Sequence, residues 1–190
     1  RRKIVKHNDF DAIHKFLLEE EKKLDQIIIF DVGANVGQSI TRFNQNFKKS
    51  KIYSFEPIPY VFEKLKKNIK NENVQLHNLA LSSTIQERDL NIYNYHQASS
   101  FYKIKKNSKF QKFRELGFKD NSMKSIKLKT ETIDNFVEKN SIENIDLLKI
   151  DTQGHEGEVL AGAKNFLSKE KIKIIEVEFI LGIAYENDLN

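Results

Sequence analysis

Short runs rich in bulky apolar residues recur along the chain at β-strand length, and the first of them reads as a strand buried on both faces. The runs are Ile27-Ile28-Ile29-Phe30, Ile52-Tyr53-Ser54-Phe55, Val74 to Leu79, Ile145 to Ile150 and Ile172 to Val177. Between them apolar residues fall at helical spacing. Val36, Ile40, Phe43 and Phe47 predict a helix over about 37–47, and Tyr60, Phe62, Leu65 and Ile69 one over about 59–70, with Pro57 and Pro59 shaping its entry. A short helix is expected from Thr132 to Val137, and another carrying Val159, Leu160, Ala163, Phe166 and Leu167. Asn8 or Asp9 caps a first helix with Phe10, Ile13, Leu17 and Leu18 on its stripe. Repeated strand–helix alternation predicts an α/β fold, a mostly parallel doubly wound sheet with helices on both faces.

The rhythm changes after residue 81. Leu90, Ile92 and Tyr93 alternate as one strand, and Ile126 and Leu128 as another. The polar stretch 94–123 between them carries Phe101, Phe110, Phe113 and Phe118. A long insert with spaced aromatics reads as a lid or binding loop, or as a small satellite core. Neither a linker nor an internal repeat interrupts the chain. One domain is expected: an N-terminal helix (1–26), a cofactor-binding half (27–93), the insert (94–123) and a second half (124–190).

Composition narrows the chemistry. The 190 residues contain no cysteine, which removes disulfides, thiolate metal sites and a cysteine nucleophile. Net charge is +5, from 32 basic and 27 acidic side chains. The lysine runs are interspersed with acids and lack arginine-aromatic clusters, so they read as solvated faces rather than a nucleic-acid surface. No segment approaches the roughly 18 apolar residues of a membrane span, and no signal-peptide core is present; a cytoplasmic protein is expected. The chain begins Arg1-Arg2-Lys3, without an initiator Met, as a trimmed chain would.

The richest stretch is Asp31-Val32-Gly33-Ala34-Asn35-Val36-Gly37. An acid ends the first strand, and two glycines frame the turn into a helix, at the crevice where open parallel sheets bind ligands. Glu56 ends the next strand about 20 residues on, the spacing at which an acid takes the hydroxyls of a ribose. The pattern does not suit a dinucleotide. Asn35 replaces the middle glycine, and the Asp31 carboxylate would repel a pyrophosphate. An amino-acid ammonium, a ribose and an adenine without phosphate suit it better, which is the make-up of S-adenosyl-L-methionine.

A second constellation, Lys149-Ile150-Asp151-Thr152-Gln153-Gly154-His155-Glu156, repeats the logic. With its strand beside the first, Asp151 faces the same crevice near the reactive end of the cofactor, and Asp151 with His155 offers general-base work on a hydroxyl. His155 reads equally as a polar loop residue, and Glu156 as a helix-dipole partner. Lys149 is a candidate ion-pair partner of Asp31 or Glu56, or a substrate contact. The spacing matches no dedicated metal-ligand set, so no metal is expected.

These residues, with Phe55-Glu56-Pro57, Asn78-Leu79-Ala80-Leu81-Ser82 and Glu176-Val177-Glu178-Phe179, resemble the FkbM-type S-adenosylmethionine-dependent methyltransferases from about Ile27 to Tyr185. The resemblance implies a Rossmann-like class I methyltransferase and O-methylation, often of a sugar in a polysaccharide or glycosylated metabolite. It implies that Asp31, Gly33, Asn35 and Gly37 hold the methionine end and Glu56 the ribose. Asn78 and Ala80 would line the adenine. Asp151 would sit beside the transferred methyl, with Gln153, His155 and Glu156 in the adjoining turn. Ser99 and Ser100 resemble a serine pair in the family's middle loop. Members usually continue past Tyr185-Glu186-Asn187 into a further helix and an antiparallel strand pair, expected to be missing here. Two other functions compete. A nucleic-acid methyltransferase fits the charge, but Asp151-Thr152-Gln153-Gly154 lacks the proline and aromatic of base-flipping enzymes. A non-catalytic adenosyl-binding protein is the other.

Overall fold

The computed structural model describes residues 9–117, 123–178 and 185–186. Asn8, Phe118, Phe179 and Asn187, and the side chains of Phe10 and Phe113, lie outside the described residues.

Five strands form a parallel sheet: β1 (Ile27–Val32), β2 (Ser50–Phe55), β3 (Val74–His77), β7 (Ile145–Ile150) and β8 (Ile172–Val177), in the order β3-β2-β1-β7-β8. Chain order reverses between β1 and β7, so the crevice between their carboxyl ends is the switch point of the fold. Register carries the functional residues there together. Asp31 pairs with Ser54 on one side and Lys149 on the other, and Val32 pairs with Phe55 and Ile150.

Each face of the sheet buries its own core. Phe30, Tyr53, Phe55, Leu148 and Ile150 pack on one side with Ile133, Phe136 and Val137 of α5 (Ile133–Lys139) and with Val159 of α6 (Glu156–Ala161). On the other, Ile27, Ile29, Ile52 and Leu147 pack with Leu17 of α1 (Asp9–Lys23), Ile40 and Phe43 of α2 (Gln38–Asn46), and Leu65 of α3 (Pro59–Asn68). Apolar runs on β1, β2 and β7 are the sequence trace of this two-sided burial.

The remaining strands make a smaller sheet. β5 (Glu87–Tyr93) and β6 (Met123–Glu131) pair antiparallel, and two-residue β4 (Ala80–Leu81) pairs parallel with β6. The expected strand Val74 to Leu79 is thus shorter. Asn78 Nδ2 donates to the carbonyls of Glu56 (2.8 Å) and Pro57 (3.0 Å), and beyond it the chain leaves β2 for β6. The expected single helix after β7 is two, α6 and α7 (Lys164–Ser168), separated at Gly162. A Cβ on Gly162 would lie 2.1 Å from the Ser82 carbonyl oxygen, and Asp134 of α5 accepts the amides of Asn165 and Phe166 where α7 starts. The insert contains a 3₁₀ turn (His96–Ala98) and α4 (Lys109–Gly117), which its polar composition concealed. Of its aromatics, Phe101 packs with Ile58, Val61 and Leu90, and Phe110 with Tyr93, Ala98, Ile104 and Tyr185, so the described part forms satellite cores.

Candidate active site

A crevice of about 860 Å³ opens at the carboxyl edge of β1, β2, β7 and β8. Gly33, Asn35, Glu56, Ala80, Asp151 and His155 line it; Asp31, Gly37, Asn78 and Glu156 do not.

The turn after β1 is built for close approach. Gly33 (φ 82°), Asn35 (φ 51°) and Gly37 (φ 100°) all adopt left-handed backbone. A Cβ on Gly33 would stand 1.9 Å from the Asp151 carbonyl oxygen, so a side chain there would force the β1 and β7 turns apart. Gly37 caps α2 against Ile69 and Leu65. Asp31 is fully buried. Its Oδ2 accepts from Ser39 Oγ at 2.6 Å, and its Oδ1 lies 3.2 Å from Lys149 Nζ. Lys149 also reaches Asp151 Oδ2 at 3.6 Å and the Gly33 carbonyl at 3.3 Å. Burial pulls its ammonium towards neutrality, but Asp31 and Asp151 more than offset this and hold its pKa above the usual lysine value. Of the partners considered for Lys149 from sequence, Asp31 is an actual one.

Glu56 is nearly inaccessible. Oε2 accepts the Asn35 amide at 3.0 Å, and Oε1 the Ile58 amide at 2.8 Å. These bonds favour the ionised form, yet burial outweighs them and pushes its pKa up to about 7. The side-chain oxygen of Asn35 beside it is buried with no hydrogen-bond partner among the described residues.

The turn after β7 distributes its acids differently. The Asp151 side chain is 28% exposed to the crevice, and its Oδ1 accepts Gln153 Nε2 at 2.9 Å. Glu156 is turned inward. It accepts the amides of Thr152 (2.8 Å) and Gly154 (3.0 Å) and the Thr152 hydroxyl (3.1 Å), clamping a turn whose Gln153 and Gly154 have positive φ. His155 is 1% exposed. Nε2 meets Ser82 Oγ at 3.0 Å, and the ring centroid lies 4.6 Å from that of Phe101. Burial, reinforced by the Arg88 guanidinium, pushes its pKa down to about 4, so the imidazole is neutral at physiological pH. The insert reaches this turn through Ser100, whose Oγ donates to the Gln153 carbonyl at 2.7 Å, while Ser99 Oγ accepts the Tyr93 amide at 3.3 Å. Tyr185 seals the far side; its hydroxyl contacts the Ala98 carbonyl (3.3 Å) and Gln153 Oε1 (3.4 Å).

Sequence reasoning missed several lining residues: Ser39 and Arg42 of α2, and Glu176, which ion-pairs with Arg42 at 3.0 Å. Ser39 and Arg42 lie on the helix opened by Gly37, whose first two turns face the crevice, so their positions carried a usable signal.

A parallel sheet with its crevice at this switch point, an acid at the carboxyl end of each of β1, β2 and β7 and a left-handed glycine turn define a Rossmann-like methyltransferase architecture. The chain matches the Methyltransferase FkbM domain over residues 31–188 and belongs to that family of methyltransferases. It is 27% identical over 186 residues to the 2-O-methyltransferase NoeI of Sinorhizobium fredii, across 93% of this chain and 72% of that protein. It is 25% identical over 164 residues to the hexuronic acid methyltransferase AglP of Haloferax volcanii, across 86% of this chain and 60% of that protein. No helix among the described residues is long and apolar enough to cross a membrane.

Proposed function

We propose that this chain transfers a methyl group from S-adenosyl-L-methionine to a hydroxyl of a sugar, in a glycan, polysaccharide or glycosylated metabolite, and releases S-adenosyl-L-homocysteine. Glu56 carries the cofactor half of this reading. Its carboxylate lines the crevice, and among the described residues each oxygen takes one backbone amide and so keeps acceptor capacity for the two ribose hydroxyls. The orphaned Asn35 oxygen beside it offers a further acceptor. The residues present therefore fit an adenosyl ligand. Gly33 and Asn35 border the methionine end, with Asp31 fixing Lys149 and Ser39 from behind, and Gly37 starting the helix beneath. Ala80 borders the adenine, and Asn78 holds the loop that leads to it. The sugar half rests on the two relatives, one named for 2-O-methylation and the other for a hexuronic acid.

The cofactor supplies, when bound, a methyl group made electrophilic by its sulfonium. The chain's own task is then alignment and removal of the hydroxyl proton. Asp151, exposed at the crevice wall, orients the acceptor. His155 is neutral and covered, so it positions the turn through Ser82 and Phe101 rather than meeting the acceptor. Glu156 holds the same turn from inside. The insert, tied to Gln153 through Ser100, forms the wall over the acceptor.

Calorimetry with S-adenosyl-L-homocysteine and NAD, followed by labelled-methyl transfer to uronic-acid oligosaccharides, tests the proposal. Binding of the first ligand alone and label on a sugar oxygen are expected. NAD binding without S-adenosyl-L-homocysteine binding would overturn the cofactor assignment, and label on nucleic acid but not on sugars would overturn the acceptor.

A further inference from the structure

The crevice and the insert that walls it carry opposite charge. Four carboxyl groups, of Glu56, Asp151, Glu176 and Glu178, line the crevice with two cations, Arg42 and Lys149. Both cations are engaged, Arg42 with Glu176 and Lys149 with Asp31 and Asp151. Even with Glu56 and Glu178 each raised to about 7, and so half-neutral there, the acids exceed the bases.

The insert is the reverse. Between Asp89 and Glu115 the chain has no acid and carries Lys103, Lys105, Lys106, Lys109, Lys112 and Arg114. All five lysines are exposed. Among the described residues none of the five forms an ion pair. Of the acids nearest in the structure, Glu115 accepts Gln111 Nε2 at 2.9 Å, and Glu186 meets Lys103 through its amide, which donates to the Lys103 carbonyl at 2.7 Å. Packing turns the lysines outward. Ile104 is buried with Tyr93, Ala98 and Tyr185 and bridges to Tyr185 as extended chain, so its neighbours Lys103 and Lys105 point away from that core. In α4, Phe110 packs on Tyr185, while Lys109 and Lys112 lie three residues apart on the exposed side. Phe110 also lines the crevice, so the basic run is continuous with its rim.

Resting on the sugar methyl-transfer reading above, we propose that residues 103–112 form a binding arm for the carboxylates of an acidic glycan. The acceptor is then a chain containing uronic acids, whose reacting sugar enters the crevice while its charged neighbours lie on the arm. The division of charge favours this. An acid-rich crevice suits a cationic sulfonium and an uncharged hydroxyl, and repels a carboxylate. Flanking carboxylates are held outside it, on ammonium groups that act as point charges. RNA is the rival polyanion. Against it, the aromatics of this stretch, Phe101, Tyr102 and Phe110, pack into the satellite cores instead of standing out as platforms for bases.

Fluorescence anisotropy in the presence of S-adenosyl-L-homocysteine tests the arm with three labelled probes of matched length. They are an oligogalacturonate, the same oligosaccharide with its carboxyls reduced to alcohols, and a single-stranded RNA. The oligogalacturonate should bind tightest, and its affinity should fall steeply between about 50 and 200 mM salt, unlike that of the reduced probe. The triple variant Lys105→Gln, Lys106→Gln, Lys109→Gln should bind it about tenfold more weakly. The variant's salt dependence should flatten, and its S-adenosyl-L-homocysteine affinity should stay within about twofold of the parent's. On a uronate acceptor that takes labelled methyl, the variant should raise KM by a similar factor at unchanged kcat. Failure of the oligogalacturonate to bind, equal binding of the charged and reduced probes, unchanged affinity in the triple variant, or tighter binding of RNA would each overturn the arm. Failure of the methyl-transfer reading looks different. Lysine-dependent oligogalacturonate binding without S-adenosyl-L-homocysteine binding would sustain the arm and sink that reading. Cofactor binding with label on neutral sugars alone would sustain the reading and sink the arm.

Discussion

The turns after β1 and β7 follow one plan: a buried strand, an acid at its end, a left-handed glycine and a helix. They distribute their acids in opposite ways. After β1 the strand-end acid, Asp31, is sealed in and holds Ser39 and Lys149, and the glycine face is left to the crevice. After β7 the strand-end acid, Asp151, remains exposed, and the sealed acid is Glu156, five residues on, which clamps its own turn. Strand position brings an acid to the edge of the sheet. Whether it works on a ligand or on the scaffold depends on which neighbour can neutralise it out of water. Lys149 lies between Asp31 and Asp151, and it is closer to the buried one.

Breaking each turn should therefore give different symptoms. Asp31→Ala should produce the largest stability loss, about 2–4 kcal/mol, because it removes the nearer carboxylate of a buried ammonium and the acceptor of Ser39; chemical denaturation measures it. A loss below about 1 kcal/mol would mean that Lys149 finds an equivalent partner. Asp151→Asn should leave the midpoint of that transition nearly unchanged and cut kcat about 10²-fold at unaltered S-adenosyl-L-homocysteine affinity. If turnover and affinity fell together, Asp151 would belong with the cofactor rather than the acceptor.

Glu56 belongs to both worlds, and pH separates them. A buried acid raised from 4.5 to about 7 binds its proton more tightly in the folded state than in the unfolded one. Its contribution to stability is then fully present below pH 4.5 and lost as pH rises through 7, a swing of about 3 kcal/mol. Between pH 5 and pH 8 the stability of Glu56→Gln relative to its parent should shift in the variant's favour by about 2–3 kcal/mol, read from paired denaturation curves. Cofactor binding should run the other way, since the ribose needs an acceptor. Affinity should weaken by up to about tenfold per pH unit below 7, and a pH-independent dissociation constant would remove Glu56 from the ribose site. Smallest is Ser100→Ala, which removes the bond to the Gln153 carbonyl. Loss of about 1 kcal/mol, with faster amide exchange across 96–101, is expected if the insert and the β7 turn open together. Unchanged exchange would uncouple them.

Much of this architecture is legible in the residues. Two-sided apolar runs mark β1, β2 and β7, shorter apolar patterns mark the edge strands β3 and β8, and strand-end acids mark the crevice. What the pattern does not carry is the direction in which a polar side chain is neutralised. Asp31, Asp151, Glu156 and His155 look alike as loop-edge polar residues, yet two are clamps, one is exposed, and the imidazole is a neutral core group on Phe101. These outcomes depend on Lys149, Ser39, Ser82 and the Thr152 and Gly154 amides, partners that only tertiary packing supplies. Helix α4 escaped notice because its exposed lysines and glutamate carry no wide apolar stripe. Asn78 ended β3 early through bonds to a neighbouring loop, information distant in sequence.

The contacts that join the insert to the β7 turn have a consequence for redesign. Ser100 meets a main-chain carbonyl of the turn, and Tyr185 meets that of Ala98. Bonds to carbonyls are indifferent to which side chain the partner carries. Gln97, which lines the crevice between these anchors, can therefore be varied while the mounting stays constant. Libraries that randomise Gln97 but retain Ser100 and Tyr185 should yield folded proteins with altered sugar preference. Grafting a relative's whole insert without those two anchors should loosen the turn that bears Asp151.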